Sequence, residues 1–156
     1  IMRKRTDQFW MSIAIELAKQ AEANGEVPVG AVLILDDKMI GKGRNQSIEL
    51  NDPSAHAEIQ ALREAGSKIG NYRLNRSKIY VTIEPCTMCI GALVHARIEK
   101  LIFGAREPKS GAVSCTNDIL EKHSFNHRFK VIEGVLEDEC SQLMRNFFRA
   151  RRKNRC

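Results

Sequence analysis

Two short stretches of this 156-residue chain place ligand-type side chains at spacings a metal ion could use. Pro85-Cys86-Thr87-Met88-Cys89 follows the apolar run Ile79–Ile83 and leads into a helical pattern. Two thiols therefore stand one turn apart and can face a point just above the helix start. Amide groups at a helix N-terminus carry roughly half a positive charge, which lowers thiol pKa values and favours the thiolate that zinc requires. Taken alone, the pair also fits a redox couple or ordinary core cysteines. His56-Ala57-Glu58 decides between these readings, because a histidine at another helix start supplies a third donor. Three protein ligands leave one tetrahedral position for water, the arrangement of a catalytic rather than a structural zinc site.

Charge counting gives the carboxylate a separate role. Zn²⁺ with two thiolates and a neutral imidazole carries no net charge, so it acidifies water less than an ion held by three imidazoles. A base must then take the water proton and deliver it to a ring nitrogen and a departing ammonia. Glu58 is placed for that work and need not be a ligand. Hydroxide adding to an amidine-like carbon that bears an exocyclic amine leads to a carbonyl, so the reaction class is hydrolytic deamination. One conflict accompanies the reading. Positions two apart on an ideal helix point about 200° away from each other, so His56 and Glu58 can share a site only if it lies over the helix end.

The elements that must position these groups follow from periodicity. From Thr6, an N-cap, Trp10, Ile13, Ala14, Leu17, Ala18 and Ala21 recur at helical spacing until Asn24-Gly25 stops them. Val29–Leu35 is an apolar run of strand length, and Asp36-Asp37 turns it into a second strand from Met39. Ser54, after Pro53, is the expected N-cap of a helix through Ala57, Ile59, Ala61 and Leu62 that ends near Gly66 or Gly70, with His56 and Glu58 in its first turn. Further strands are expected at 79–83, 101–103 and 131–135, a helix from Cys86 to about His95, and irregular chain from Arg106 to Thr116. From Glu137, Cys140, Leu143, Met144, Phe147 and Phe148 mark one face of a closing helix. Alternating strands and helices indicate a single α/β domain over residues 1–156, its sheet covered on both faces.

Composition bounds the setting. The most apolar stretches, Ile13 to Ala18 and Val29 to Leu35, fall far short of the roughly 20 residues that cross a bilayer, so no membrane association is expected. No secretion signal is read at the start, and Met2 rather than Ile1 is the expected natural beginning. Five cysteines, an odd and sparse set, suit a reducing, cytoplasmic setting. A net charge of +6 favours a polyanionic partner, with nucleic acid the first candidate. Arg145, Arg149, Arg151, Arg152, Lys153 and Arg155 crowd the last helix behind Phe147-Phe148, joining phosphate-seeking charge to aromatic faces on which unpaired bases can stack. A solvated tail on a helix with buried phenylalanines is the plainer alternative for the Phe pair.

H-x-E followed by P-C-x-x-C is the signature of zinc deaminases. Beyond it, Glu26-Val-Pro-Val-Gly-Ala31, Asn51-Asp-Pro-Ser-Ala-His-Ala-Glu-Ile59, Glu84-Pro-Cys-Thr-Met-Cys89, Phe103-Gly-Ala-Arg106, Phe125-Asn-His-Arg128 and Phe147-Phe-Arg-Ala-Arg-Arg152 resemble the bacterial tRNA-specific adenosine deaminases, a branch of the cytidine deaminase-like superfamily. The resemblance spans nearly the whole chain. It implies a three-layer α/β/α domain with a central five-stranded mixed sheet, one Zn²⁺ per subunit, and a homodimer acting on the anticodon stem-loop of an arginine tRNA at the wobble adenosine. It also implies that Asn45 hydrogen-bonds the flipped nucleotide, that Val27, Pro28 and Ile83 line the base pocket, and that Arg106, Glu107, Phe147, Phe148, Arg149 and Arg152 contact RNA. A deaminase of small bases or nucleosides would share the zinc site. A nucleic-acid-binding module with structural zinc, or a thiol redox protein, would share only the cysteines.

Overall fold

The computed structural model describes residues 3–113 and 118–154. Helix α1 (Asp7–Ala23) starts where Thr6 Oγ1 accepts the Phe9 N–H at 3.1 Å, and stops at Asn24 ahead of Gly25, whose φ is 81°. Strands β1 (Gly30–Leu35) and β2 (Lys38–Arg44) form the expected hairpin. Asp36 and Asp37 both have positive φ, 51° and 59°, which matches the right-handed twist of the strands they join. A register shift between Leu33 and Ile34 bends the pair. Next come α2 (Ala57–Ile69), β3 (Lys78–Ile83), α3 (Thr87–His95), β4 (Lys100–Ala105), the single turn α4 (Ile119–Lys122), β5 (Lys130–Glu133) and α5 (Glu137–Lys153).

The five strands lie in the order β2-β1-β3-β4-β5. β1 is antiparallel to both neighbours, whereas β3, β4 and β5 run parallel, so the sheet is mixed as the resemblance implies. Pleat alternation divides the core. Val32, Ile34, Tyr80 and Ile102 meet Trp10, Met11 and Ala14 of α1 and Cys140 of α5 on one face. Ala31, Leu33, Ile79, Val81, Leu101 and Phe103 meet α2, α3 and α4 on the other. The result is three layers.

One packing feature bears directly on function. β2 carries glycine at 41 and 43, where α2 passes over it. A Cβ on Gly43 would stand 2.6 Å from Ala61 N and 2.8 Å from Gln60 Cβ, with the Ala57 carbonyl closer still. The bare backbone therefore lets the N-terminal turn of α2 lie flat on the sheet.

Ser54 is not the cap of α2. His56 occupies that position with extended angles (φ −76°, ψ 156°). Ser54 instead belongs to a turn closed by Asp52, whose Oδ1 accepts its N–H at 2.9 Å and its hydroxyl at 2.7 Å. Those bonds hold the Asp52 carboxyl below its ordinary pKa. The short helix α4 was not foreseen, and β5 is shorter and starts earlier than expected. Ile1, Cys115, Thr116, Arg155 and Cys156 lie outside the described residues.

Candidate metal centre and substrate pocket

The parallel strands β3 and β4 end at Ile83 and Ala105, and α2 and α3 both begin at this end of the sheet. Crevices at the carboxyl ends of strands are where α/β sheets bind ligands. Cys86 is the N-cap of α3, also in extended conformation (φ −77°, ψ 174°), and Cys89 sits in the helix's first turn. Because His56 precedes its helix rather than belonging to it, the 200° conflict between His56 and Glu58 disappears. An extended cap residue throws its side chain over the helix end, where the Glu58 carboxylate also arrives.

His56 Nδ1 lies 3.6 Å from Cys86 Sγ and 3.5 Å from Cys89 Sγ. All three donor atoms fall within 4.8 Å of one another. A tetrahedral zinc with Zn–N near 2.05 Å and Zn–S near 2.3 Å requires an N···S edge of about 3.6 Å. The donor set and its spacing therefore fit that ion. Glu58 is 3% exposed, and burial pushes its carboxyl pKa up while the neighbouring Cys89 thiol works in the opposite direction. The two thiols share a proton: the hydrogen bond from the Cys89 thiol pulls Cys86 down to about 4, and the same bond pushes Cys89 up. The hydrogen bond with Cys86 raises the pKa of His56.

A cavity of about 180 Å³ opens over these groups, lined by His56, Glu58 and Cys86 and walled by Val27, Val29, Asn45, Ile83, Glu84, Glu107 and Met144 among others. Cys89, fully buried, lies behind it. Val27, Asn45 and Ile83 line this cavity, as do Val29 and Met144. Pro28, between Val27 and Val29, is buried and is the apex of a three-residue turn in which the Val29 N–H donates to the Val27 carbonyl at 2.9 Å.

Ile83, Glu107 and Met144 also line a wider groove of about 650 Å³, so the two spaces adjoin across these side chains. Arg106, Lys109, Arg145, Phe148, Arg149 and Arg152 line this groove. Arg106 is braced by Glu133, with Nη2–Oε1 at 2.6 Å and Nε–Oε2 at 3.2 Å. The phenylalanine pair divides. Phe148 is 41% exposed in the groove, whereas Phe147 is 8% exposed with the Arg151 guanidinium 4.8 Å over its ring. In this structure Phe148 is the ring open to the groove, while Phe147 is packed and covered by Arg151. Arg151 itself turns back to the Gly25 carbonyl at 3.4 Å.

Two buried carboxylates, which open two of the stretches that carry the resemblance but had no role assigned from sequence, shape the walls. Glu84, 2% exposed, accepts the Val113 N–H at 2.9 Å and the Glu107 N–H at 3.2 Å, fastening the irregular segment after β4 across the pocket. Glu26, 1% exposed, accepts the N–H groups of Ile48 and Glu49 at 3.1 and 2.8 Å and holds the turn that follows Asn45. Each lies beside a recognised motif residue, and an acidic residue wedged against apolar neighbours was the available signal. Cys140, by contrast, is core: burial pushes its thiol up to about 12, and it packs under Gly104.

The family model of MafB19-like deaminases matches residues 5–152. A tRNA-specific adenosine deaminase of Haemophilus influenzae is 49% identical over 155 residues, which cover 99% of this chain and 90% of the relative. A solved structure from a study of A-to-I editing by tRNA:A34 deaminases at the wobble position of transfer RNA superposes with a TM-score of 0.85 at 41% identity, over 86% of this chain and 98% of its own. A guanine deaminase from Nitrosomonas europaea, 23% identical, superposes with a TM-score of 0.74 over 91% and 84%, a likeness of fold alone.

Proposed function

Because this chain belongs to the MafB19-like deaminases and, among them, to the tRNA-specific adenosine deaminases, we propose that it converts adenosine to inosine by hydrolysis at the anticodon wobble position of an arginine tRNA. The observation that carries this reading is that the His56–Glu58–Cys86 pocket adjoins a groove lined by arginines and Phe148. A small-base deaminase has no use for such a groove, whereas single-stranded RNA is held by cations on its backbone and aromatic faces under its bases.

His56, Cys86 and Cys89 hold one zinc ion per subunit, which supplies the Lewis acidity that makes water a competent nucleophile near neutral pH. Glu58 does the proton work. Its carboxylate takes the proton of the attacking water and passes it to the purine ring nitrogen, then takes the hydroxyl proton of the tetrahedral adduct and passes it to the exocyclic amine, which leaves as ammonia as the carbonyl forms. Burial supports this duty, because a carboxyl pKa raised toward neutrality both accepts and returns a proton readily. Asn45 hydrogen-bonds the nucleotide flipped out of the loop, while Val27, Val29 and Ile83 keep bulk water from the reacting carbon. Arg106, Glu107, Phe148, Arg149 and Arg152 receive the flanking anticodon nucleotides.

The proposal includes a homodimer in the cytoplasm. Exposed Ile69, Tyr72 and Met88 beside α2 and α3 favour a partner there, and no helix among the described residues is long and apolar enough to cross a membrane. The test is incubation of the purified protein with arginine tRNA, reading inosine at the wobble position by sequencing, with free cytidine, cytosine and guanine as rival substrates. Glu58→Gln is expected to lower turnover at least about 100-fold while keeping one zinc per subunit. Turnover of a free base with none of tRNA would refute the proposal.

A further inference from the structure

The opposite end of the sheet carries a second concentration of positive charge. The parallel strands β3, β4 and β5 begin in register at Lys78, Lys100 and Lys130, each the direct partner of the next. Neighbouring strands lie about 4.8 Å apart, and like charges side by side destabilise a sheet. The loops entering these strands add Arg76, Arg97 and Arg128. Arg76 and Arg97 both occupy the left-handed backbone region, with φ of 66° and 62°. Arg97 is the left-handed residue that closes α3, with the Ile98 N–H donating to the Leu93 carbonyl at 3.5 Å, and Arg76 sits in the turn closed by the Ser77 N–H on the Leu74 carbonyl at 3.2 Å, so hydrogen-bonded turns present both side chains at this end of the sheet.

The arrangement is rigid as well as charged. Glu99 N–H donates to the Ser77 carbonyl at 2.8 Å, Lys130 N–H donates to the Glu99 carbonyl at 3.2 Å, and His127 Nε2 lies 2.7 Å from the Ile98 carbonyl. Between the loops lies a cavity of about 700 Å³ lined by Arg76, Arg97, Lys100, Arg128, Lys130 and Phe129, with Glu99 the acidic member of its wall. Two of the cations have partners: Arg76 pairs with Asp36 at 3.5 Å and Arg128 with Glu121 at 3.7 Å. Arg97, Lys100 and Lys130 form no ion pair among the described residues. Like charges in register around a cavity, with Arg97, Lys100 and Lys130 outside any ion pair among the described residues, leave a repulsion that a bound anion would relieve.

We propose that this cavity is a second phosphate-binding site, which grips the ribose–phosphate backbone of the RNA substrate away from the edited nucleotide. It stands a strand's length, about 17 Å, from the pocket at the carboxyl end of β3, so it engages nucleotides outside those held by Arg149 and Arg152. Several separate cations spread around one cavity suit the repeated charges of an RNA backbone better than a single inorganic ion. The inference rests on the RNA reading of the active site, and its test is kept independent of turnover.

The full-length protein and its Arg97→Gln/Lys100→Gln/Lys130→Gln variant are compared by fluorescence anisotropy for binding to whole tRNA and to a minimal anticodon stem-loop, from low to physiological salt. For whole tRNA the variant is expected to lose about ten-fold or more in affinity, and its plot of log affinity against log salt to flatten by about 2, roughly 0.7–0.9 per lost phosphate contact. Stem-loop affinity is expected to stay within two-fold. The variant's Tm is expected to hold or rise, because like charges are removed. Equal effects on both RNAs, or none on whole tRNA, would overturn the inference. Inorganic phosphate and pyrophosphate form a further arm: loss of their binding with whole-tRNA affinity intact assigns the cavity to small anions and also overturns it. A parent that binds whole tRNA through this site without editing it refutes the proposed activity and leaves the second site standing.

Discussion

Gly43→Ala is the most exacting test of how the fold builds the site. The added Cβ would stand 2.6 Å from Ala61 N and 2.8 Å from Gln60 Cβ, so the start of α2 must retreat some 0.8 Å or more to restore an ordinary 3.4 Å contact. None of the atoms in the way is the end of a flexible side chain, and the helix backbone has to move as a unit. That retreat carries His56 and Glu58 away from Cys86 and Cys89, which belong to a different helix and have no reason to follow. Overpacking of this kind costs about 1–3 kcal/mol, a fall of about 2–12 °C in Tm for a domain of this size. Misplacing reacting groups by about 1 Å costs on the order of 100-fold in rate. The assay is single-turnover inosine formation beside zinc content and a thermal melt. Turnover within three-fold of the parent, with Tm unchanged, would refute the claim that close contact of α2 with β2 sets the catalytic geometry.

Glu84→Ala strips the Val113 and Glu107 amides of their acceptor; it is expected to cost about 3 kcal/mol, or about 6–12 °C in Tm, and to raise KM for tRNA more than it lowers kcat, with Glu84→Gln recovering part of both. Unchanged KM and Tm would show that the segment stands without it. Zinc uptake by the metal-free protein is expected to release about one to two protons at pH 7, because Cys86, held down to about 4, is already thiolate while Cys89 and His56 must give up protons. The sign follows: apparent zinc affinity falls as pH falls, since acid favours the protonated ligands. Calorimetry in buffers of different ionisation enthalpy measures the number, and zero release would contradict the shared-proton description of the thiols.

What the sequence makes legible is whatever depends on near neighbours. Thr6 capping α1, the Asp36-Asp37 turn and the Cys-x-x-Cys step from strand to helix are local events, and each is found where its residues announce it. Ser54 misleads because a serine before a helical run has the right chemistry for a cap, yet Asp52 engages it first and leaves the cap to His56, a residue type with weak capping preference. That substitution removes the apparent clash between His56 and Glu58, so the error in the cap and the conflict in the site have one cause. The exposure of Phe148 beside the packed Phe147 was not legible either, because adjacent residues of a helix point in different directions and a motif gives no sign of which neighbour faces the groove. The roles of Glu26 and Glu84 are not legible because their partners lie more than twenty residues away, and the ladder of Lys78, Lys100 and Lys130 exists only once strand order is known. The four-residue α4 is too short to carry a helical period.

The central claim is that His56, Cys86 and Cys89 hold a zinc ion with one position left to solvent. X-ray absorption at the zinc edge of an active preparation tests it directly. The expected spectrum has two sulfur scatterers at about 2.3 Å, with one imidazole nitrogen and one solvent oxygen at about 2.0–2.1 Å. A third sulfur, a second imidazole, or full activity without stoichiometric metal would contradict the account.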